Sequence, residues 1–513
     1  MTTGPMKTIH AMSSVVLFVL TSLSGEGITS KLWGENGELW RPGGRLPDFS
    51  YAGYRAGEQP IPDREAALKM EDFGAKGDGE TDDSQAFIDA IAAAKGKVIH
   101  ISAGKYLITR ILRITTGGTV LRGDGPDKTV LYFPKPLNDI KPNWGKTTGG
   151  RRTSNYSWSG GMIQFSGSFQ SATLAKVEAK ASRGDTGLKL SSTGGLKVGQ
   201  RVELIQRDTS ENSLANYLYA GDPGDTRKLN GKTSISMILW IEGIKDNQVT
   251  FRPALRFDIR PEWRPQISRF EPTVQDAGLE ELSIRFPVTA YKGHFTEVGH
   301  NGIAMSGVSD CWIRNVRIEN ADSGIFLRSR FCTLQEIVIT SRRKGARGNT
   351  TGHHGIVMGG TDNLLRNFEF KTRFIHDVTV TSRSSHNVAS SGKGVDLCFD
   401  HHRRAPYQNL YTDIDIGAGT RPWKCGGGGS LGKHCAARET FWNIRSKRPI
   451  SLPPKRFAPA MLNFVGMQNR LPTQTGIQGV WHEGISPEDL RPANLHQAQL
   501  QKRLGIMKRK ETQ

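Results

Sequence analysis

Histidines are concentrated in one part of this chain. Eight of the 13 histidines lie between His294 and His402, a span of 109 of the 513 residues in which an even distribution would place about three. Seven of the eight come from four short segments: YKGHFTEVGHNG (291–302), TGHHGIVMGG (351–360), FIHDVTV (374–380) and FDHHRRAPY (399–407). An imidazole gains or loses a proton near neutral pH, so the clustering predicts a site for acid–base chemistry.

One chemistry that suits these segments is β-elimination beside a uronate carboxylate. It requires a base, cations that neutralise the carboxylate and an acid for the leaving oxygen. His353 and His402 are the candidate bases, and the Arg403 and Arg404 guanidinium groups could each bind a carboxylate through two hydrogen bonds. We predict catalytic roles for His294, His353, His402, Arg403 and Tyr407, and substrate-binding roles for Lys292, Glu297, Arg328, His376, Asp400 and Arg404.

Two other functions remain open on the sequence. A glycoside hydrolase needs two carboxyl groups that flank the scissile bond, and Glu297, Asp322, Asp377 and Asp400 are available for that role. A non-catalytic polysaccharide-binding protein is the third alternative, but it would not explain the enrichment in histidine.

The metal and cofactor requirements are less clearly indicated. Adjacent histidines on a strand point to opposite faces, so His353 is expected outward and His354 inward, and neither histidine pair forms a ready two-ligand site. The sequence has no D-x-D-x-D-G calcium loop. The sequence therefore identifies neither a cofactor nor a particular metal.

The elements that must position these residues repeat along the chain. A unit of the form apolar–x–(Asn/Asp/Glu)–apolar–x–apolar recurs as LEELSI (279–284), IRNVRI (313–318), LQEIVI (334–339), LRNFEF (365–370), IHDVTV (375–380), YTDIDI (411–416) and FWNIRS (441–446). The 21-residue step from Ile313 to Leu334 suits one coil of a β-solenoid, and the 10-residue step from Leu365 to Ile375 suits two strands of one coil. Stacked coils would place distant segments in one groove.

The stretch MEDFGAKGDGETDDSQAFIDAIAAAKGKVIHISAGKYLI (70–108) resembles the opening of pectate-lyase-like proteins of the right-handed parallel β-helix superfamily. The resemblance implies an all-β fold, a right-handed parallel β-helix with an N-terminal cap helix near residues 84–94. It implies little about chemistry, because lyases, polygalacturonase-type hydrolases, glucanases and phage tail spikes share the motif. It makes Asp78, Asp82 and Asp83 structural, and it makes Ca²⁺ a candidate ion, since related lyases often use calcium to bridge the substrate carboxylate. NADSGIF (320–326) followed by GHHG partly resembles the polygalacturonase pattern, but the Asp-Asp pair of that pattern is missing.

The chain divides into six predicted segments. They are a signal peptide (1–28), an N-terminal arm (29–69), the β-helix cap and first coils (70–165), an inserted β subdomain (166–275), the coils that carry the site (276–470) and a partly helical C-terminal tail (471–513). Lys7 followed by the apolar run 11–25 indicates export, and hence a secreted or periplasmic protein. Cys425 and Cys435 could then form a disulfide.

The charge balance points to an anionic partner. The chain holds 69 Lys and Arg against 49 Asp and Glu, a net charge of +20, yet it has no nucleic-acid-binding motif and no membrane span. We therefore predict a secreted polysaccharide lyase that acts on an acidic polysaccharide, with a hydrolase as the alternative. The oligomeric state is not indicated.

Overall fold

The computed structural model describes residues 27–506 except 148 and 477. Residues 1–26, which include most of the predicted signal peptide, lie outside the described residues. Within the described part of the chain, no helix is long and apolar enough to cross a bilayer.

The largest element is a long sheet of 16 strands that is parallel over most of its length. Thirteen strands follow one path: Ala66–Lys69, Val98–His100, Val120–Arg122, Gly278–Arg285, Trp312–Glu319, Thr333–Thr340, Leu364–Phe370, Val388–Gly394, Leu410–Asp415, Thr440–Arg445, Asn463–Met467, Trp481–Glu483 and the antiparallel Gln474–Thr475. Three more strands, Asp78–Asp82, Gly104–Leu107 and Thr129–Tyr132, join it beside Gly278–Arg285.

A second, short sheet of parallel strands runs beside the long one. Its seven strands are, in spatial order, Leu112–Ile114, Ile163–Ser166, Asn301–Ser309, Ser323–Arg330, Thr350–Thr361, Arg373–Val380 and Phe399–His401. From Trp312–Glu319 to Phe399–His401 the chain alternates between the two sheets, one strand of each per coil. The predicted all-β parallel β-helix is therefore confirmed, and the 10-residue step between Leu365 and Ile375 does join two strands of one coil.

The repeated sequence unit marks a bend in the long sheet. Six of the seven predicted units lie in it, and the third residue of each has a left-handed backbone with φ of 49–59° at Glu281, Asn315, Glu336, Asn367, Asp413 and Asn443. Asn, Asp and polar residues tolerate this conformation better than β-branched ones, which explains the preference at that position. The seventh unit, IHDVTV, lies in the short sheet, as the 10-residue step from Leu365 predicts.

The interior of the coils is apolar throughout. Ile303, Ile325, Ile356, Val378 and Phe399 form one inward row of the short sheet, each no more than 1% exposed. Burial of each such side chain stabilises the fold by about 1.5–3 kcal/mol.

Short elements and an antiparallel sheet complete the molecule. The α-helices are Ser84–Ala94, Leu137–Ile140, Ser213–Leu218 and Leu495–Arg503, and the 3-10 helices are Tyr54–Gly57, Met70–Phe73, Asn155–Ser157, Pro261–Trp263 and Arg347–Asn349. The inserted sheet has the strand order Thr173–Lys176, Gln266–Arg269, Arg201–Arg207, Ser234–Lys245, Gln248–Arg252 and Gly187–Lys189. Two-stranded pairs are Ile28–Thr29 with Leu490–Arg491, Trp144–Lys146 with Arg152–Ser154, and Phe169–Gln170 with Glu271–Pro272.

The acidic residues of the N-terminal motif hold turns. Asp83 accepts hydrogen bonds from the Lys76 and Gly77 amides at 2.7 and 3.1 Å, and Asp78 accepts from the Thr81 amide at 2.8 Å. Both are structural contacts of the kind that the resemblance implies.

Cys425 and Cys435, the pair that the sequence offers as a possible disulfide, are not bonded to each other. All five cysteines are free thiols, and the Cys435 side chain lies in the solenoid core. The Cys425 sulfur instead accepts a hydrogen bond from the His401 amide at 3.2 Å.

Candidate functional site

A groove of about 1400 Å³ runs over the outer face of the short sheet. Its floor comes from that sheet, and its walls come from the Gly-rich segment 426–431, residues near 146–158 and the loop at 294–295. The histidines that line it are His294, His353, His354, His376 and His402. The prediction that histidines from separate segments share one groove is therefore confirmed for His294, His353, His376 and His402.

The imidazole rings form a continuous cluster. The ring centroids of His294 and His353 are 4.4 Å apart, those of His354 and His376 are 5.0 Å apart, and those of His376 and His402 are 5.3 Å apart. The coil stacking predicted from the sequence brings them together, since His354 of one strand pairs with His376 of the next.

His354 faces the groove, which corrects the inward position expected from strand alternation. The following residue, Gly355, takes the inward position: a Cβ there would lie 2.3 Å from the core ring of Phe370. Ile356 is inward as well and fully buried. His353 and His354 therefore share the outer face while Gly355 and Ile356 share the inner face, so strict alternation is broken and both histidines line the groove.

His402 and Asp400 form a hydrogen-bonded pair at one end of the cluster. Asp400 Oδ2 lies 2.9 Å from His402 Nδ1 and 3.4 Å from His376 Nδ1, and Asp400 also accepts from Thr379 Oγ1 at 3.0 Å and from the Gly426 amide at 2.7 Å. The carboxylate is fully buried, while the His402 side chain is 29% exposed. Burial lowers the pKa of His402, but the Asp400 charge and hydrogen bond raise that pKa above its usual value. Because Asp400 occupies Nδ1, Nε2 is the His402 atom left for the groove.

A second buried carboxylate lies behind His353 at the other end. Glu297 Oε1 accepts from the Tyr291 hydroxyl at 2.5 Å and lies 3.6 Å from His353 Nδ1, and its Oε2 accepts from Ser157 Oγ at 2.9 Å. Burial raises the pKa of Glu297 and, together with the Glu297 charge, that of Tyr291. Glu297 thus contacts a histidine instead of lining the groove, although its binding role was predicted from sequence.

The histidines between these ends are held neutral. Burial, reinforced by neighbouring positive charges, lowers the pKa of His294 to about 4, and burial also lowers the pKa of His376 to about 4. Burial and the adjacent rings also hold the pKa values of His353 and His354 well below the usual value of an imidazole. His402 alone in this group of five has a raised pKa.

The charged residues of the groove wall are cationic. Lys and Arg side chains line it at Lys146, Lys228, Arg328, Arg330, Arg383 and Arg404, and no Asp or Glu does so among the described residues. Arg330 is held by Glu203 at 2.9 Å, whereas Arg328 and Arg404 make no ion pair within the described ranges. The predicted binding residues Arg328 and Arg404 are therefore in the groove.

The Gly-rich wall is hydrogen-bonded to a loop of the inserted β subdomain. Gly432 donates its amide to the Asp225 carbonyl at 2.8 Å, Ser430 donates its hydroxyl to the Asp225 carboxylate at 2.8 Å, and the Lys228 amide donates to the Ser430 carbonyl at 2.9 Å. Lys433 forms an ion pair with Asp222. The insertion thereby adds Lys228 to the groove.

Three predicted site residues lie elsewhere, which corrects their expected roles. Tyr407 is 1% exposed and packs in the core of the inserted sheet. Arg403 turns away and donates to the Gly432 carbonyl. Lys292 is exposed but is not among the groove residues. For Arg403 and Tyr407 the cause is three successive left-handed residues, Arg403 to Ala405 with φ of 65, 63 and 54°, which redirect the chain after His402.

Two of the four carboxylates considered as catalytic groups of a glycoside hydrolase have structural roles. Asp377 Oδ2 lies 2.6 Å from Arg421 Nη2, and Asp322 Oδ1 lies 2.9 Å from Arg343 Nη1, with all four side chains largely buried. Neither lines the groove.

Sequence reasoning missed several groove residues. The main ones are Lys146, Lys228, Phe326, His354, Thr379, Arg383 and Gly426. A sequence signal existed for His354, which lies in the GHHG segment, for Thr379, three residues after His376, and for the GGGG run at 426–429.

The N-terminal part of this solenoid matches a known protein family. Residues 67–172 match the family model described as Rhamnogalacturonase A/epimerase, pectate lyase-like, which confirms the resemblance for that segment. The chain is 37% identical over 78 residues to the pre-neck appendage protein of Bacillus phage B103, a match that covers 15% of this chain and 9% of that protein. It is 33% identical over 103 residues to mannuronan C5-epimerase AlgE1 of Azotobacter vinelandii, covering 18% of this chain and 7% of that protein. The matched segments thus span less than a tenth of either relative.

Two solved structures have a partly similar chain trace. The tailspike protein gp49 of Pseudomonas phage LKA1 is 14% identical, with a TM-score of 0.43, and the match covers 74% of this chain and 63% of that one. Pectin methylesterase PemA of Erwinia chrysanthemi is 12% identical, with a TM-score of 0.32, and the match covers 82% of this chain and 98% of that one.

Proposed function

We propose that the groove binds an acidic polysaccharide and that the protein cleaves it by β-elimination beside a uronate carboxylate. The observation that carries the proposal is the composition of the groove: six Lys and Arg side chains and five histidines line it, with no Asp or Glu among the described residues. Such a surface attracts an anionic chain and offers bases without competing carboxylates. The match of residues 67–172 to a pectate lyase-like family supports the same class of substrate.

His402 is the candidate base. Its Nδ1 is fixed by Asp400 at 2.9 Å, and its side chain is partly exposed, so Nε2 can reach a bound sugar. The base takes the proton on the carbon next to the carboxylate, and that electron pair forms the carbon–carbon double bond as the glycosidic C–O bond breaks. The imidazolium formed on His402 is an acid that can protonate the departing oxygen, so the step balances without another reactant. Asp400 stabilises the imidazolium through its charge.

Arg328 and Arg404 are the candidate partners of the substrate carboxylate. Both line the groove and neither is committed to an ion pair within the described residues, whereas Arg330 is held by Glu203. A guanidinium can bind a carboxylate through two parallel hydrogen bonds, which withdraws charge as the proton leaves.

Hydrolysis by paired carboxylates has less support. Glu297 and Asp400 are buried behind His353 and His402, while Asp322 and Asp377 are paired with arginines outside the groove. No two of them flank a shared open position, as glycoside hydrolysis requires.

Epimerisation is a second candidate that uses the same base. Removal of the same proton, followed by return of a proton to the opposite face of the sugar, inverts the carbon without cutting the chain. The local similarity to mannuronan C5-epimerase AlgE1 supports this alternative. The cluster of several imidazoles could supply a donor on the second face.

The test is a screen of alginate, pectate, glucuronan and ulvan-type chains with the full-length protein. We expect new ultraviolet absorbance from an unsaturated uronate, shorter chains, and loss of both signals in His402→Ala. Asp400→Asn should lower kcat about 10²-fold or more, since base orientation and charge are both lost. His100→Ala, at a surface histidine paired with Asp124, is the matched control and should keep full activity.

Other outcomes discriminate the alternatives. Reducing ends without ultraviolet absorbance would overturn elimination in favour of hydrolysis. Incorporation of solvent deuterium into an unshortened chain would indicate epimerisation. Binding without any product would leave a polysaccharide-binding protein.

A further inference from the structure

The imidazole cluster has a property that base catalysis at His402 does not use. Three of its members, His294, His353 and His376, each offer one nitrogen, and these nitrogens lie within 4.8 Å of one another. His353 and His376 are 2% and 4% exposed, and the Nδ1 atom of each makes no hydrogen bond. Each of these Nδ1 atoms faces a buried carboxylate, that of Glu297 or Asp400, so Nε2 is the nitrogen left for a ligand.

We propose that His294, His353 and His376 form a binding site for a divalent transition metal ion, with zinc as the representative ion. The three rings come from different strands and one loop, so the fold itself assembles the set. For three nitrogens 4.8 Å apart, a central ion would lie about 2.8 Å from each nitrogen. Zinc–nitrogen bonds of about 2.0–2.1 Å then require an inward shift of about 0.7 Å per ring.

The surroundings of the rings are those of metal-binding histidines. Glu297 lies 3.6 Å from Nδ1 of His353, and Asp400 lies 3.4 Å from Nδ1 of His376, each buried behind its ring. A carboxylate behind the distal nitrogen orients the ring and raises its strength as a ligand, and Nε2 is then the ligand atom. The two carboxylates also offset the repulsion that the cationic groove wall exerts on a divalent ion.

The ligand set selects the kind of ion. Imidazole nitrogens suit zinc, cobalt, nickel and copper, whereas Ca²⁺ requires six to eight oxygen ligands. Within the described residues, two groups of three side chains could hold a metal ion. The first is His294, His353 and His376, and the second is His376, Asp400 and His402, so the two share His376. Because Asp400 and His402 are already bonded to each other, an ion in the first group leaves His402 free. Three protein ligands would also leave the ion one open position toward the groove.

The experiment uses the full-length protein stripped of metal and titrated calorimetrically with zinc chloride, without polysaccharide. We expect one zinc ion per chain, and we expect cobalt substitution to give the visible absorption bands of a tetrahedral nitrogen site. His294→Ala should weaken zinc binding about 100-fold or more, and its exposed position makes misfolding a minor concern. His353→Gln tests a buried ligand, with the melting curve as a check on folding.

His100→Ala is the matched control, since it removes a surface histidine that also contacts a carboxylate. The proposal is overturned if the wild-type protein binds no zinc at tenfold excess, if His294→Ala and His353→Gln bind zinc like the wild type, or if His100→Ala weakens binding as much as His294→Ala. None of these readouts depends on enzymatic activity, so failure here is separate from failure of the elimination mechanism.

Discussion

Gly426 is the position at which a single methyl group should disable the groove. A Cβ placed there would lie 2.5 Å from Cε1 of His402 and 2.9 and 3.0 Å from Cε1 and Nε2 of His376. Ordinary contacts between carbon atoms are about 3.5–4.0 Å, so the His402 ring must move by about 1 Å in Gly426→Ala.

The wall cannot easily move instead. The Gly426 amide donates to the Asp400 carboxylate at 2.7 Å, and the preceding Cys425 sulfur accepts from the His401 amide at 3.2 Å. A displacement of the wall would leave the buried Asp400 carboxylate short of a hydrogen bond, which costs about 1–3 kcal/mol. A displacement of the base by about 1 Å lowers the rate about 10²-fold, or roughly 2.7 kcal/mol of transition-state stabilisation.

The assay compares kcat/KM of Gly426→Ala and Gly429→Ala on the polysaccharide that the screen identifies. Gly429 lies in the same wall, and a Cβ there meets nothing within 4 Å, so its variant should stay within about twofold of the wild type. Melting temperatures of both variants check that the fold is intact. Equal activity of the two variants would refute the assignment of His402 and the close contact that defines it.

Further predictions address binding, stability and the backbone. Arg328→Ala should raise KM about tenfold and reduce the salt dependence of binding, whereas Arg342→Ala, which removes the same charge outside the groove, should change neither. Asp322→Asn should destabilise the fold by about 3–5 kcal/mol in denaturant unfolding at pH 7, because Arg343 is left buried and unpaired. Burial raises the pKa of Asp322, but Arg343 and the backbone amides lower it overall. The stabilisation is therefore present above the unfolded pKa of about 3.9 and is lost as the pH falls further. A difference in unfolding free energy between wild type and variant that stays constant down to pH 2 would contradict this prediction. Asn367→Val should cost about 1–2 kcal/mol at its φ of 53°, while Asn367→Gly should be nearly neutral in the same unfolding measurement.

The sequence carried enough information to predict the coils and the meeting of the histidines. The bend residue of each unit repeats in register, so distant segments such as those of His353 and His376 could be stacked without a structure. The orientation of single side chains could not be predicted, because one extra inward residue at Gly355 changes the face of His354.

The path of the chain between strands could not be predicted from the sequence either. The three left-handed residues from Arg403 to Ala405 include no glycine, and nothing in FDHHRRAPY signals that Arg403 and Tyr407 leave the groove while Arg404 stays. Lys228 belongs to a segment whose place depends on how the inserted sheet docks. Such contacts between distant segments have no local pattern that could predict them.

The attachment of the Gly-rich wall to the inserted sheet has a consequence for folding. Coils of a solenoid contact only their neighbours, so they can form in succession from local encounters. The wall is different: Ser430 and Asp225 are separated by 205 positions in the chain, and Lys433 and Asp222 by 211. Contacts of such high sequence separation form slowly, because a long loop must close before they contribute any stability. The Gly-rich wall is therefore expected to close after the coils have formed, and amide hydrogens at 426–432 should acquire protection from exchange after those of the short sheet.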